Sequence, residues 1–135
     1  MNSFERKELP VKRDYVAPDG SDVRALLGLE GGGLAHFEIA PGEISVAVAH
    51  RTVGEIWYFL HGRGEMWLKL DDKEDVVPVG PRVCITIPVG THFQIRALGS
   101  EPLSALGVTM PPWPGDGEAY VVKGKCNPSL NPGKG

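Results

Sequence analysis

A chain of 135 residues with 14 basic and 17 acidic side chains, net charge -3, has room for one ordinary domain with an apolar core but not for two. Its charges are scattered rather than grouped, which leaves no electrostatic footprint for nucleic acid or an anionic membrane surface and favours a small-molecule partner. No apolar run reaches the roughly 20 residues of a spanning helix, and the N-terminus MNSFERKELP carries no apolar signal region, so the expected compartment is the cytoplasm.

Residues 1–22 read as an arm able to lie along a sheet edge, its own or that of a second subunit. From 23 to 110 the apolar residues alternate and almost never recur at helical spacing, the pattern of short strands between Gly and Pro turns. Strands are predicted over Val23 to Leu29, Leu34 to Ile39, Ile44 to His50, Glu55 to Leu60, Gly64 to Leu70, Asp75 to Val79, Val83 to Ile87, His92 to Ala97 and Leu103 to Met110. Gly31-Gly32-Gly33, Pro41-Gly42, His61-Gly62, Asp71-Asp72, Gly80-Pro81, Pro88-Val89-Gly90 and Gly99-Ser100 mark the connections. Glu65, Lys69 and the run Asp71 to Asp75 form a charged hairpin with a solvated face. Cys84, in an apolar strand, and Cys126, in a polar tail, read as reduced thiols rather than a disulfide framework. Residues 111–135 hold five Pro and five Gly and cannot pack a core of their own, so the last ten are expected to be mobile. Trp113, between Pro112 and Pro114, is expected as a plug over the barrel end or a dimer contact. So many short strands suit an all-β jelly roll, closed or double-sheeted, with little or no helix.

Chemistry concentrates where the strand ending in His50 turns into the strand opened by Glu55. Neighbouring side chains on a strand alternate faces. Ile44, Val46, Val48 and His50 therefore share one face, as do Glu55, Trp57 and Phe59. Phe93, Ile95 and Ala97 form the apolar set of their strand, which turns His92, Gln94 and Arg96 outward. The inferred cavity is apolar, walled by Val48, Trp57, Phe59 and Phe93, with His50 and Glu55 as its convergent polar pair. A carboxylate beside an imidazole fixes its tautomer, while an apolar wall pushes the carboxyl toward neutrality, so the pair can serve as general acid and base. Arg51, and with it Arg63 or Arg96, is a candidate to hold a carboxylate or phosphate, and Trp57 to stack on a sugar face. His36, between Ala35 and Phe37, and His61, on a Gly turn, are expected at the surface.

The order Pro41-Gly42, a strand ending at His50, Glu55-Ile56-Trp57-Tyr58, then Gly62-x-Gly64 resembles the first signature of the cupin superfamily. Gly80 and Ile87-Pro88-Val89-Gly90-Thr91-His92-Phe93 echo the second. More narrowly, AHRTVGEIWY, GRGEMW, IPVGTHFQIR and VTMPPWPG look like a group of small single-domain cupins described as similar to sugar-phosphate isomerases. The resemblance implies a cupin-type double-stranded β-helix, a jelly-roll barrel over 23–110. In many cupins two His of the first motif, its Glu and a His of the second hold a first-row metal. Laid on this chain, those positions fall on Val48, His50, Glu55 and Phe93, an incomplete set, with His92 one place early. The metal candidates are thus His50 and Glu55, joined by His92 only if a bulge turns it inward. Absence of a metal is the preferred expectation, with iron, manganese, zinc or nickel the alternative.

Three functional classes follow. The first is an enzyme doing acid-base chemistry (isomerisation, epimerisation or dehydration) on a small polar or sugar-like compound, led by His50 and Glu55. The others are a metal-dependent dioxygenase or isomerase, and a metabolite-binding or sensing module without turnover. Unpaired strand edges and outward apolar residues such as Ile56 and Tyr58 predict a homodimer.

Overall fold

Turns rich in Gly, Pro and Asp interrupt the chain every few residues, and only strands form between them. The computed structural model describes residues 3–134. Its elements are β1 (Tyr15–Val16), β2 (Asp22–Leu29), β3 (Gly32–Ile39), β4 (Val48–His50), β5 (Gly54–His61), β6 (Arg63–Leu70), β7 (Lys73–Val79), β8 (Cys84–Ile87), β9 (His92–Leu98), β10 (Leu103–Met110) and β11 (Ala119–Val121). No helix occurs among the described residues, hence none long and apolar enough to cross a membrane. Two antiparallel sheets face each other, one ordered β1-β2-β3-β10-β5-β8 and the other β11-β4-β9-β6-β7. This is the jelly-roll architecture expected of the alternating pattern.

Side-chain parity determines what lies between the sheets. Along β5, Glu55, Trp57 and Phe59 are buried while Ile56 and Tyr58 face outward, and along β9, Phe93, Ile95 and Ala97 point inward. These join Ile39, Val46, Val48, Met66 and Leu103 in one apolar core. The two glycines of Gly62-x-Gly64 have separate steric reasons. Gly62 sits at φ +75°, and a Cβ on Gly64 would strike the carbonyl of Arg96 on the neighbouring strand.

Three expectations need correction. The strand anticipated over Ile44 to His50 is paired as a ladder only at Val48–His50, with a lone bridge from Ile44 to Arg96. Between them Ser45 N–H donates to the Ile95 carbonyl, Val46 N–H donates to the Asp19 carbonyl, and Ser45 Oγ accepts from Ile95 N–H. Loop and side-chain groups thus replace regular pairing.

The C-terminal segment is not free of the barrel. Ala119–Val121 pairs with His50, Ala49 and Val48 as strand β11, and Ser129 and Leu130 N–H donate to the Ile44 carbonyl. Gln94 clamps this segment. Its amide nitrogen donates to the carbonyls of Ser45 and Cys126, and its oxygen accepts from the N–H of Lys125 and Cys126. Outward by parity, Gln94 is nevertheless buried, because the tail covers it.

His36 is also buried, at 6% exposure, rather than a surface residue. It faces away from the core, and its cross-strand partner Arg24 is tied over that face to the carbonyls of Pro10 and Val11. Burial, the larger effect, and the Arg24 and His61 charges push its pKa down, while Glu38 opposes them.

Candidate functional site

His50 closes β4 and Glu55 is the second residue of β5, so the turn of 51–53 decides whether they meet. That turn is fixed by a residue far along the chain. The carboxylate of Glu118, itself buried at 5% exposure, accepts from Thr52 N–H at 2.7 Å, Thr52 Oγ–H at 2.6 Å and Val53 N–H at 3.0 Å. With the turn held, His50 Nδ1 lies 3.2 Å from Glu55 Oε1, and both side chains are almost fully buried. The angle between them does not make a directed hydrogen bond, which leaves Nδ1 open to a partner arriving from the cavity.

They face a cavity of about 200 Å³ between the sheets. Val48 and Phe93, cross-strand partners in β4 and β9, form one wall, and Trp57 stacks on Phe37 at 4.8 Å to form another. Trp113 covers the end and meets the His50 ring edge-on at 4.9 Å, the plug anticipated from its flanking prolines. Tyr15 and Asp19 line it too, so the N-terminal segment, expected only as an edge arm, supplies part of the wall. Its strand β1 pairs with β2 of the same chain.

Burial opposes charge on both members of the pair. His50 is pushed down to about 4, against the pull of Glu118 and a hydrogen bond with the Val53 backbone. Glu55 is pushed up to about 8 by burial, with Asp19 adding to the rise and a 2.9 Å hydrogen bond from Trp57 Nε1–H opposing it. The two shifts describe one proton. Carboxylic acid beside neutral imidazole and carboxylate beside imidazolium have the same composition, and a low-dielectric surround favours the form without charges. Asp19 is raised by burial against two hydrogen bonds from Ser21. Tyr15 is raised by burial and by Asp14 and Glu55.

Of the residues singled out in the sequence, His50, Glu55, Val48, Trp57 and Phe93 converge on this cavity. Arg51 does not: its Nε–H donates to the Gly117 carbonyl, and its guanidinium lies over Tyr120 in the solvent. Phe59 lies a layer deeper in the core, 6.1 Å from Trp57, and is not part of the cavity wall. Arg63 and Arg96 are exposed. His92 faces away, because β9 runs in unbroken register with β6 from Leu98 opposite Arg63 to His92 opposite Lys69, leaving no bulge to turn it. No three His, Cys, Asp or Glu side chains come together as a metal site among the described residues. Glu118, Tyr15 and Asp19 escaped the sequence reading. The signal that could have found Glu118 is Ala119-Tyr120-Val121-Val122, a β-favouring run inside the Pro/Gly-rich tail that places it at the start of a strand.

Comparison with known proteins agrees with this architecture. The family model for the cupin domain matches residues 35–109. An uncharacterized protein of Methanocaldococcus jannaschii is 34% identical over 107 residues, covering 75% of this chain and 82% of that one. Among solved structures, the capsular polysaccharide assembling protein CapF of Staphylococcus aureus superposes with TM-score 0.67 at 15% identity, over 85% of this chain and 33% of CapF. Oxalate decarboxylase of Bacillus subtilis superposes with TM-score 0.68 at 14% identity, over 82% of this chain and 30% of the enzyme. The chain thus spans about a third of either structure, and at such identities the likeness is one of fold.

Proposed function

The chain belongs to the cupin family, whose small-molecule-binding fold hosts many unrelated activities, and from that premise we propose that it is an enzyme in which His50 and Glu55 move protons on a small polar compound. The reaction is proton transfer at the carbon beside a carbonyl, the step common to isomerisation, epimerisation and dehydration. The observation that carries this reading is the buried pair 3.2 Å apart at the end of an apolar cavity. An unused polar pair in such a place is costly.

The proton inventory closes without outside help. Neutral His50 takes the hydrogen from the carbon, Glu55 gives its acidic proton to the carbonyl oxygen, and the substrate becomes a neutral enol. The pair is then imidazolium and carboxylate, charges that stabilise each other at short range. Return of the protons to different atoms completes an isomerisation. Two protein donors are one short of the three that a catalytic zinc usually takes, and the valine and phenylalanine at the other family positions cannot ligate, so the donor set does not fit a tightly held metal.

Exchange of carbon-bound hydrogen in heavy water, followed by proton NMR over a panel of small ketones and aldehydes, tests the proposal. We expect exchange by the native chain and a loss of about 10²- to 10⁴-fold in His50→Gln. Equal rates in both, or no exchange with any compound, would overturn it.

We also propose that two copies pair through the outer face of the six-stranded sheet. Ile56, Tyr58, Val108 and Met110 are each more than a third exposed there, and the arm holds Phe4 and Val11 at 102% and 91% exposure. A self-complementary contact covers both sets at once. Light scattering at micromolar concentration should give the mass of a dimer, and a monomer mass would refute the pairing.

A further inference from the structure

We infer that the cavity accepts an uncharged compound about one ring in size, presenting a carbonyl or hydroxyl oxygen to the His50–Glu55 end, and turns away carboxylates and phosphates. This rests on the acid-base reading of the same cavity and narrows its substrate class.

Charge comes first. Among the described residues no Lys or Arg lines the cavity, although Tyr15, Asp19, His50, Glu55 and Thr109 place polar side chains there. Two of them are acidic and almost fully buried, Asp19 at 4% and Glu55 at 4% exposure. The candidate cations are committed elsewhere, Arg51 to Gly117 and Tyr120, and Arg24 to the carbonyls of Pro10 and Val11 on the opposite face of its sheet. With no helix among the described residues, no helix N-terminus is aimed at the cavity either. An anion entering here would lose its hydration and meet two acids in return. In the step written above the substrate stays neutral throughout, so the chemistry does not call for a cation.

Size and wall chemistry come next. An apolar cavity of about 150 Å³ is enough to hold a benzene ring, and this one measures about 200 Å³, with Phe37, Trp57, Phe93 and Trp113 among its walls. A sugar phosphate brings several hydroxyls and a dianion, each needing a buried partner. Here Trp57 N–H is committed to Glu55, Asp19 to Ser21, and the Thr109 hydroxyl to the Gly33 carbonyl. Among the described residues, His50 Nδ1 is the buried side-chain atom of the cavity without a hydrogen-bond partner, which suits a ligand with a single polar group.

Benzamide and benzoate separate charge from shape, because they are nearly isosteric. Titrated at neutral pH into the full-length chain by calorimetry, with the fluorescence of cavity-lining Trp57 and Trp113 as a second signal, benzamide should bind at least about tenfold more tightly than benzoate. Inorganic phosphate should neither bind nor displace benzamide. His50→Gln should alter the benzamide signal, placing it in this cavity. Benzoate binding as tightly as benzamide, displacement by phosphate, or no benzamide signal up to ~10 mM overturns the inference. Failure is separable from that of the parent reading. If benzoate binds as well as benzamide while His50→Gln still abolishes hydrogen exchange, the ligand class is wrong and the acid-base role stands. If benzamide is preferred while no compound exchanges hydrogen, the converse holds.

Discussion

Two glutamates, equally hidden from solvent, titrate in opposite directions. Glu55 at 4% exposure is pushed up to about 8, whereas Glu118 at 5% exposure lies below the ordinary carboxylate range. For each, burial is the largest influence and acts upward. The difference is in the donors. Glu118 accepts from the Thr52 hydroxyl and two backbone N–H groups with His50 nearby, which outweighs the cost of burial, while Glu55 has the single indole N–H of Trp57 and a second acid, Asp19, within range. Burial alone therefore assigns neither role. One carboxylate is made structural by its hydrogen bonds, and the other, left under-satisfied, keeps a proton to give.

The same conservative substitution should break the two sites differently. Gln at position 55 mimics the protonated acid, since its oxygen can accept from Trp57 and its NH₂ can point at His50, yet it has no proton to release. Glu55→Gln should lower hydrogen exchange about 10²- to 10⁴-fold with the thermal midpoint at about pH 4, where the carboxyl is protonated folded and unfolded, held near that of the parent. A large drop in that midpoint would show that Glu55 is structural after all. At position 118 the amide offers one acceptor oxygen to three donors and turns its own N–H groups toward them. Glu118→Gln should cost about 2 to 3 kcal/mol in denaturant unfolding, and activity should fall only as the 51–53 turn loosens.

Stability against pH sharpens the contrast further. Glu55 holds its proton in the folded state up to about 8 but loses it near 4.5 when unfolded. The folded chain therefore binds more protons in that window, and stability falls as pH rises through it. His50 behaves oppositely. It is charged below about 6.5 when unfolded but only below about 4 when folded, so its contribution to stability rises with pH over that range. The two slopes cancel between 4.5 and 6.5 and leave a fall of about 2 kcal/mol from pH 6.5 to 8. Glu118, with a depressed pKa, stabilises above its unfolded value and loses that contribution as pH falls. Denaturation curves across this range should show the plateau and the alkaline fall. In Glu55→Gln the fall should vanish and a rise between 4.5 and 6.5 should emerge, since only the His50 slope remains. An unchanged alkaline arm in that variant would assign the titration to another group.

Alternation made most of the barrel legible. Strand parity alone put Phe93 inward and His92 outward, and brought His50 and Glu55 onto facing positions, because an interior of side chains from two sheets admits one phase of each strand. It overreached with Phe59, which shares the face of Trp57 but lies one layer too deep, since parity gives the side and not the depth. Glu118 and Asp19 were illegible for a different reason. Each acts through contacts between chain segments far apart in sequence: Glu118 reaches back to Thr52, and the Asp19 carbonyl is bound by Val46 N–H. Composition marked 111–135 as unable to build a core, which it does not do. It lies over one already built, held by the Gln94 amide.

The finest test of the contrast removes the one donor that Glu55 has. Trp57→Phe keeps an aromatic ring against Phe37 but deletes the indole N–H that lies 2.9 Å from Oε2. That hydrogen bond favours the charged carboxylate, so its loss should move Glu55 further upward and carry the alkaline decline in stability on to higher pH by a fraction of a pH unit. Deleting a donor from Glu118 should act in the same sense from the other side: Thr52→Val, which preserves shape while removing the hydroxyl, should raise that carboxylate and shift the acid limb of the stability curve upward. Because the two effects are displaced along the pH axis, a double variant should show both at once. Additive shifts would establish that donor supply is tuned separately at each glutamate, whereas a strongly non-additive result would mean that the turn carrying His50 transmits a change at one carboxylate to the other.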